Sequence, residues 1–380
     1  NNEALRGGNG GAQARIAVES VQEFQLLTSQ FDAEYGGSSG AIVNAVSKQG
    51  TNQFRGSLFY FFQDASMTAL EYFAKQQGLE KAPTNQHQYG GTIGGPIVRN
   101  KAHFFGSFEG IRLDSGLTIN IPARPEFNRA DFERARIRNT MVRFDHQVTG
   151  NHTWGVRWLR EQSPQYNQLS TNVTPSVVGQ ENDVDQTWVG NLNSVFKGTV
   201  VNSLKVSVTR ENVYFANPQF FANGRRQDLL PPLLDYQTFL DGQDPGAMHQ
   251  LERAWAVENI LSSFISGRGG THQLKGGVQI TRMSADINDQ DNMNGTFVFS
   301  HDLPFDPADP RTWPERFSIR FLLQGHRTLD INVDVFNLFN RANFLNPSGD
   351  IRTPSTFLVL RATDQSAGPR SVQLNFRYGF

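Results

Sequence analysis

The sequence contains no cysteine among its 380 residues, which excludes a disulfide scaffold and a thiolate metal site. It contains no run of about 18 apolar residues, so no transmembrane helix is expected. An excess of one charge sign is absent too: 35 basic residues stand against 36 acidic ones, a net charge of -1. This balance gives no reason to expect nucleic acid as a partner.

Phenylalanine and glycine are abundant, at 30 and 35 residues. Together they are typical of a strand-rich protein with an aromatic exterior and close backbone contacts. A membrane protein without an apolar helix has one remaining way to cross the bilayer, which is a closed β-barrel. Strands with one apolar and one polar face are then expected along the chain.

The C-terminal segment Ser371–Phe380 has the clearest strand pattern, because apolar and polar residues alternate in it without exception. In a soluble sandwich the apolar face would be the core, whereas in a porin-like barrel it faces lipid. Charged residues such as Asp330 and Asp334 recur on the polar face of other strands. A watery lumen or an exposed sheet face explains such charges, whereas a dry sandwich core does not.

The pattern predicts an all-β fold, an antiparallel transmembrane β-barrel with about 13 to 15 strands in this chain. The predicted strands are 54–64, 86–97, 101–113, 116–122, 137–148, 152–162, 185–197, 202–213, 253–266, 271–285, 294–300, 317–323, 327–339, 355–362 and 371–380. Segments 67–77 and 125–136 are predicted as short helical turns. Short turns alternate with long polar connections at 163–184 and 214–252, an asymmetry that is typical of outer-membrane barrels.

No catalytic, cofactor-binding or metal-binding residue is predicted, and the chain is not expected to be an enzyme. Gly36–Gly40 matches G-x-S-x-G, but a nucleophile elbow precedes a helix and Ala41–Val46 is strand-like. The eight histidines form no H-E-x-x-H motif. Asp286–Asn292 is acidic but lacks the spacing of an EF-hand, so a solvated loop is favoured over a calcium site. Gly7–Gly11 lacks the strand and helix of a phosphate-binding loop.

Several segments resemble one family. Val18–Gln25 and Glu34–Asn52 resemble the last third of the plug of a TonB-dependent outer-membrane receptor, and Phe54–Phe62 follows as a first barrel strand does there. The similarity to the Oar-like subgroup extends to Gln88–Ile97, Lys101–Glu109, Asp302–Arg316, Asp334–Phe344 and the terminal Phe380.

The resemblance implies two domains, the C-terminal part of a plug at 1–53 and an incomplete barrel at 54–380. It implies the outer membrane of a Gram-negative-type bacterium as the location and TonB-driven uptake of a large or scarce substrate as the function. The implied partners are outer-membrane lipid, the TonB complex, the barrel-assembly machinery and an unknown extracellular substrate, for which a glycan is one guess. By the same resemblance, Phe376, Tyr378 and Phe380 are predicted to form the C-terminal signal for barrel insertion.

The chain departs from the family pattern in length. Family members carry about 22 strands, a TonB box and a complete plug. None of these is found here, and a stretch is predicted to be missing around 320–328. This chain is therefore expected to be a fragment that does not transport by itself. Two alternatives stay open: a surface protein that uses the barrel as an anchor for adhesion, and a soluble all-β carbohydrate-binding protein.

Overall fold

The computed structural model describes seven parts of the chain. They are residues 17–27, 42–67, 69, 84–267, 270–322, 328–336 and 371–379. No helix within these parts is long and apolar enough to span a membrane.

The described residues contain 19 strands and one short α-helix. The first ten strands are β1 (Val21–Leu27), β2 (Ile42–Ser47), β3 (Arg55–Asp64), β4 (Asn85–Val98), β5 (Ala102–Ile119), β6 (Arg129–Thr149), β7 (His152–Gln162), β8 (Gln165–Gln168), β9 (Gly179–Phe196) and β10 (Val200–Ala216). Helix α1 (Pro218–Ala222) follows, and then β11 (Leu233–Asp235), β12 (Leu240–Gly242), β13 (Ala247–Gly267), β14 (Gly270–Asp289), β15 (Thr296–Val298), β16 (Arg316–Ser318), β17 (Phe321–Leu322), β18 (Thr328–Phe336) and β19 (Ser371–Gly379). Five 3-10 turns lie at Val18–Ser20, Ala65–Met67, Pro125–Phe127, Gln227–Leu229 and Pro310–Thr312.

Ten of these strands form one antiparallel sheet, here called the large sheet. Its order is β14-β13-β10-β9-β7-β6-β5-β4-β3, with β8 paired to β6 and β9. Strands β1 and β2 form a separate antiparallel pair, the small sheet. Strands β17, β18 and β19 form a three-stranded sheet. The antiparallel β architecture predicted from alternation is confirmed.

Several predicted strands are wrong because they are shorter than the observed ones. Segments 101–113 and 116–122 are one strand, β5, because Asp114, Ser115 and Gly116 continue the pairing with β6. Segment 125–136 is helical only over Pro125–Phe127, and Arg129 begins β6. Of 67–77, only Met67 lies in a described 3-10 turn, while 70–77 and the predicted strand 355–362 lie outside the described residues.

The two faces of the large sheet differ in what they contact. We call the face that touches the small sheet the inner face and the other the outer face. Side chains alternate between the faces along each strand. On β9, for example, Asp185 points to the inner face and is buried, whereas Trp188, three residues on, points to the outer face and is 51% exposed. A polar inside and an apolar outside is the pattern that the sequence predicts.

The long connections form a compact cap at one end of the large sheet. Its four-stranded sheet has the order β12-β11-β15-β16, with β11 and β15 parallel. Aromatic rings form its core: Tyr236 stacks on Phe239 and on Phe299, with ring centroids 4.5 Å apart in each pair. The prediction that 214–252 is ordinary polar loop is therefore wrong, because its apolar residues pack against those of the neighbouring connections.

Candidate functional site on the inner face

Two serines, Ser47 at the end of β2 and Ser20 in the 3-10 turn just before β1, bind the inner face of the large sheet. The hydroxyl of Ser20 donates to that of Ser107 across 2.7 Å, and both side chains are buried. Ser47 Oγ accepts hydrogen bonds from Arg143 and Arg157, at 3.1 and 3.0 Å. Both contacts lie at the same end of the small sheet, where Val21 pairs with Ser47. Within the described residues, the small sheet is thus attached by one end.

The two arginines of this contact are directly opposite each other on β6 and β7. Like charges in that position repel across a sheet. Asp145 offsets part of the repulsion, because its carboxylate pairs with Arg143 at 2.8 Å. Arg143 also donates to the backbone oxygen of Ser47 at 2.9 Å. The end of β2 therefore supplies acceptors that this pair of cations needs.

The segment between the two sheets crosses the first hairpin at close range. A Cβ atom on Gly50 would lie 2.2 Å from the carbonyl oxygen of Phe104, which is too close for any residue other than glycine. A Cβ atom on Gly95 would lie 2.4 Å from the ring of Phe54. Glycine at these positions lets the backbone and the ring approach. This explains two of the glycines in the segments that carry the family resemblance.

Asn52 fixes the same crossing segment to the β4–β5 turn. Its Oδ1 accepts a hydrogen bond from the backbone N–H of Asn100 at 2.7 Å, and it lies 3.1 Å from Nε2 of His103. Asn100 has a positive φ of 63°, a conformation that asparagine adopts more readily than most residues. The junction at 48–54 is therefore held by both packing and hydrogen bonds.

Farther along the strands from the contact with the small sheet, one row of side chains on the inner face is acidic, and we call it the acidic row. In register from β5 to β13 it contains Glu109, Asn139, Glu161, Asp185, Glu211 and Glu252. Each of the six is exposed by 5% or less. Amide side chains donate hydrogen bonds to the carboxylates at both ends of the row. Gln88 and Asn139 donate to Glu109 at 2.8 and 3.0 Å, and Gln250 donates to Glu252.

Three carboxylates of this region converge. Oxygen atoms of Asp183, Asp185 and Glu211 all lie within 4.8 Å of one another. Carboxylate oxygens are ligands that hard cations such as Ca²⁺ and Mg²⁺ prefer. The sequence does not reveal this group, because its members come from two strands and no motif spacing connects position 185 with position 211. Only the strand register, which places Asp185 opposite Glu211, brings them together.

Amide side chains hold the cap together. Asn217, the N-cap of α1, donates to the backbone oxygen of Val178 at 3.1 Å and accepts from the N–H of Gln219. Gln227 donates to the backbone oxygen of Asp244 at 2.9 Å. Since Asn217 and Gln227 are buried, these amides are structural. Tyr236 and Phe239 are buried as well, so they present no ring face to a sugar.

Burial perturbs acidic groups in the cap. It raises the pKa of Asp244, although the backbone N–H of Gly246 donates to this carboxylate and opposes the effect. It also raises the pKa of Asp235, against the nearby charge of Arg316. In Asp228 the direction is reversed, because hydrogen bonds from Arg226 lower the pKa of that carboxyl. The cap therefore contains carboxyl groups that resist ionisation.

The residues that the sequence predicts for barrel insertion, and the glycine motifs, lie in other parts of the chain than the inner-face site. Phe376 and Tyr378 lie in β19, where they pair with Ile331 and Leu329 of β18. Phe380, Gly7–Gly11 and Gly36–Gly40 lie outside the described residues. The structure does not test the insertion signal, which stays a prediction.

The acidic segment Asp286–Asn292 is partly strand. Asp286 and Asp289 belong to β14, and Asp289 pairs with Arg320 at 2.8 Å. Asp291 accepts the backbone N–H of Ala247 at 2.7 Å. This segment therefore fastens the cap to β14. The proposed missing stretch around 320–328 includes residues 323–327, which lie outside the described residues, while β17 and β18 on either side of it pair.

Comparison with known proteins gives one consistent family. Residues 46–136 and 120–311 match the model of the outer membrane beta barrel domain. Over 97 residues the chain is 32% identical to the TonB-dependent transporter Oar of Myxococcus xanthus, which covers 24% of this chain and 9% of that protein. The outer membrane transporter YddB from Escherichia coli superposes with a TM-score of 0.61 at 10% identity, over 86% of this chain and 42% of that one. The chain thus spans less than half of either relative.

Proposed function

The chain belongs to the outer membrane β-barrel domain family and is located in the outer membrane, and from this premise we propose that it forms wall and plug segments of a TonB-dependent transporter. In this proposal residues 1–53 are the end of the plug and residues 54–380 belong to the barrel. The observation that carries it is the small sheet bound on the polar inner face of the large sheet through Ser20 and Ser47.

The attachment has the properties that a movable plug requires. Among the residues that the structure describes, the contact of the small sheet with the inner face is polar and is made by a few hydrogen bonds at one end, at Ser20 and Ser47. Such bonds contribute about 1 kcal/mol each, or about twice that when a charged group takes part, so a pulling force can break them one at a time. Force applied through TonB upstream of residue 17 would then release the small sheet from Ser107, Arg143 and Arg157 and open a path along the inner face.

The cap also bears on the substrate. It is held together by a buried aromatic core, so entry is controlled by a structured surface. We propose a large or scarce nutrient as the substrate and TonB and the barrel-assembly machinery as partners. A glycan remains one candidate.

A disulfide lock tests this proposal. These 380 residues contain no cysteine, so Ser20→Cys with Ser107→Cys introduces one pair into them, and the 2.7 Å between the two hydroxyls shows that the two side chains are in contact. A strain that lacks the gene is grown on a panel of polysaccharides and proteins to find a nutrient on which growth requires the gene. The full-length gene with both substitutions is then reintroduced.

Growth on that nutrient should be lost when the pair is oxidised and restored by a reductant, while each single variant grows normally. Normal growth of cells whose protein is shown by mass spectrometry to be cross-linked would contradict the proposal. Unchanged growth of the deletion strain on every nutrient, with loss of surface attachment, would instead support the adhesion anchor.

A further inference from the structure

The outer face of the large sheet is mostly apolar between the short turns and a row rich in tryptophan. In register from β6 to β13, this row contains Val142, Trp158, Trp188, Val208 and Trp255. Trp188, Val208 and Trp255 are exposed by 51%, 50% and 43%. Tryptophan is enriched where a membrane protein passes from the hydrocarbon to the headgroups.

Beyond the tryptophan row, toward the long connections, the outer face becomes cationic. Six exposed arginines lie there, and we call them the arginine band: Arg112, Arg134, Arg138, Arg160, Arg210 and Arg253. Arg160, Arg210 and Arg253 are in the row next to the tryptophan row, and the other three lie two to four rows beyond it on β5 and β6. None of the six forms a salt bridge with a carboxylate in the described parts of the chain. Between β5 and β13, the described outer face has one carboxylate, Asp114, and it pairs with Arg136 at 2.6 Å.

Positive and negative side chains therefore lie on opposite faces of the large sheet. At about the same height along the strands, the inner face carries the acidic row and the outer face carries the arginine band. Arg210 is directly opposite Arg253, and the same two strands place Glu211 opposite Glu252 on the other face. Two cations in opposite positions repel each other. An anion that bridges Arg210 and Arg253 relieves this repulsion, and guanidinium groups bind phosphate with two parallel hydrogen bonds.

The position of the band indicates a lipid as the source of the phosphate. Outer-membrane barrels have their short turns on the periplasmic side and their long loops outside, which places the band at the headgroups of the outer leaflet. An apolar groove of about 910 Å³ lies on the same face at β3–β6, and its lining includes Phe54, Leu58, Ile93, Phe108 and Val142. Phe108 and Arg138 are one row apart along the outer face. A lipid can therefore contact the band with its headgroup and the groove with an acyl chain.

We propose that the arginine band binds the phosphates of an outer-leaflet lipid that carries more than one phosphate group. The band is arranged along several neighbouring strands, so two phosphates can contact it together. A soluble phosphate lacks the acyl chains and gains nothing from the adjoining apolar face. Lipid binding at this band adds a site to the protein that is separate from any transport path on the inner face.

The test compares three probes on the full-length protein, purified from membranes in detergent. Diphosphoryl lipid A, monophosphoryl lipid A and inorganic phosphate are titrated by native mass spectrometry. The test variant is Arg160→Gln/Arg210→Gln/Arg253→Gln. The control variant is Arg99→Gln/Lys101→Gln/Lys197→Gln, which removes the same charge from exposed cations near the short turns at the other end of the sheet. Both are checked for the mobility shift of a folded barrel on unheated gels.

Diphosphoryl lipid A should bind the test variant at least about tenfold more weakly than the wild type and the control, since each cation near a charged membrane surface contributes measurably. Monophosphoryl lipid A should bind the wild type more weakly, and inorganic phosphate should not compete at equal concentration. Equal affinity of test variant and wild type overturns the proposal, as does an equal loss in both variants. If the test variant does not fold, Arg210→Gln alone should weaken binding about threefold, and an unchanged affinity there also overturns it.

Discussion

Arg157 donates a hydrogen bond from Nη1 to the hydroxyl of Ser47 across 3.0 Å and thereby connects the large sheet to the small one. The two residues are 110 positions apart in sequence, and Ser47 is buried. Because Arg143 uses the same hydroxyl, one small side chain serves two neighbouring cations. Loss of that acceptor affects both.

Ser47→Ala should therefore weaken the attachment of the small sheet. Hydrogen bonds to charged groups contribute about 1.5–3 kcal/mol, and a similar loss is expected here. Cleavage of the small sheet by a protease should become faster in the folded protein. Ser66→Ala is the matched control, since Ser66 is exposed and its described hydrogen bond uses only the backbone N–H. Equal cleavage rates for both variants would show that Ser47 is not an anchor.

Gly50→Ala should disturb the junction between the sheets more severely. The new Cβ would lie 2.2 Å from a backbone oxygen and 2.9 Å from another, and backbone cannot move aside as a flexible side chain does. Overpacking of this kind costs about 1–3 kcal/mol or more. Gly190→Ala on β9 is the control, because a Cβ there meets no atom within 4 Å. The midpoint of urea denaturation should fall for Gly50→Ala and stay unchanged for Gly190→Ala. An equal fall in both variants would show that the clash at Gly50 does not cause the loss of stability.

Alternation in the sequence predicted most strands of the large sheet, but not β8, which lies in a segment predicted as a polar connection. His152–Gln162 was predicted with the observed bounds, since every second residue from Trp154 to Trp158 is apolar. Prediction was poorer where strands extend beyond the membrane. At the far ends of β5 and β6, Ser115 and the charged residues of 129–136 interrupt the apolar face, so periodicity fades although pairing continues, as between Asp114 and Arg134.

Stability should depend on pH through Asp244. Below about pH 3.9, the ordinary pKa of aspartate, its carboxyl is protonated in both the folded and the unfolded chain and contributes nothing. As the pH rises, the unfolded chain ionises first, because burial raises the folded pKa, and folded stability falls until the pH passes that raised pKa. Asp244→Asn keeps an oxygen acceptor for Gly246 and should melt at a higher temperature than wild type at pH 7, with the gap closing near pH 3.

Asp228→Asn gives the opposite sign in the same experiment. Arg226 lowers the pKa of Asp228, so its ionised form is favoured in the folded cap and the stability it adds is lost as the pH falls. The asparagine variant should melt slightly lower than wild type at pH 7. If both variants shift the melting temperature in the same direction, general charge effects and not burial explain the Asp244 result.

Phe239→Ala should loosen the cap without unfolding the large sheet. Phe239 is 1% exposed and stacks on Tyr236, and removal of a buried aromatic ring costs about 3–5 kcal/mol. Hydrogen exchange should accelerate in β11 and β12 and stay slow in β10. Phe305→Ala, at a residue that is 52% exposed, should change neither. Equal protection of β11 in both variants would mean that the ring stack does not hold the cap.

The inner-face site was not predictable from sequence because it depends on register. Arg143 and Arg157 are ordinary polar-face residues when each strand is read alone, and only the β6–β7 pairing makes them neighbours. The cap was missed for a related reason. Phe239 and Phe299 are isolated apolar residues in polar segments, and they form one core only after three connections fold together.

Two adjacent residues on β10 test which face contacts lipid. Val206 points to the outer face and is 40% exposed, whereas Ser207 points to the inner face. An arginine on the lipid face costs about 2–4 kcal/mol at the middle of the bilayer and less toward its interfaces, while a lumen position tolerates charge. Val206→Arg should therefore reduce the folded, heat-modifiable protein recovered from outer membranes, and Ser207→Arg should be recovered like wild type. In a soluble protein the order would reverse, because an arginine is harmless at an exposed position such as Val206 and is harder to place at the less exposed Ser207. That outcome would remove the basis of the membrane assignment.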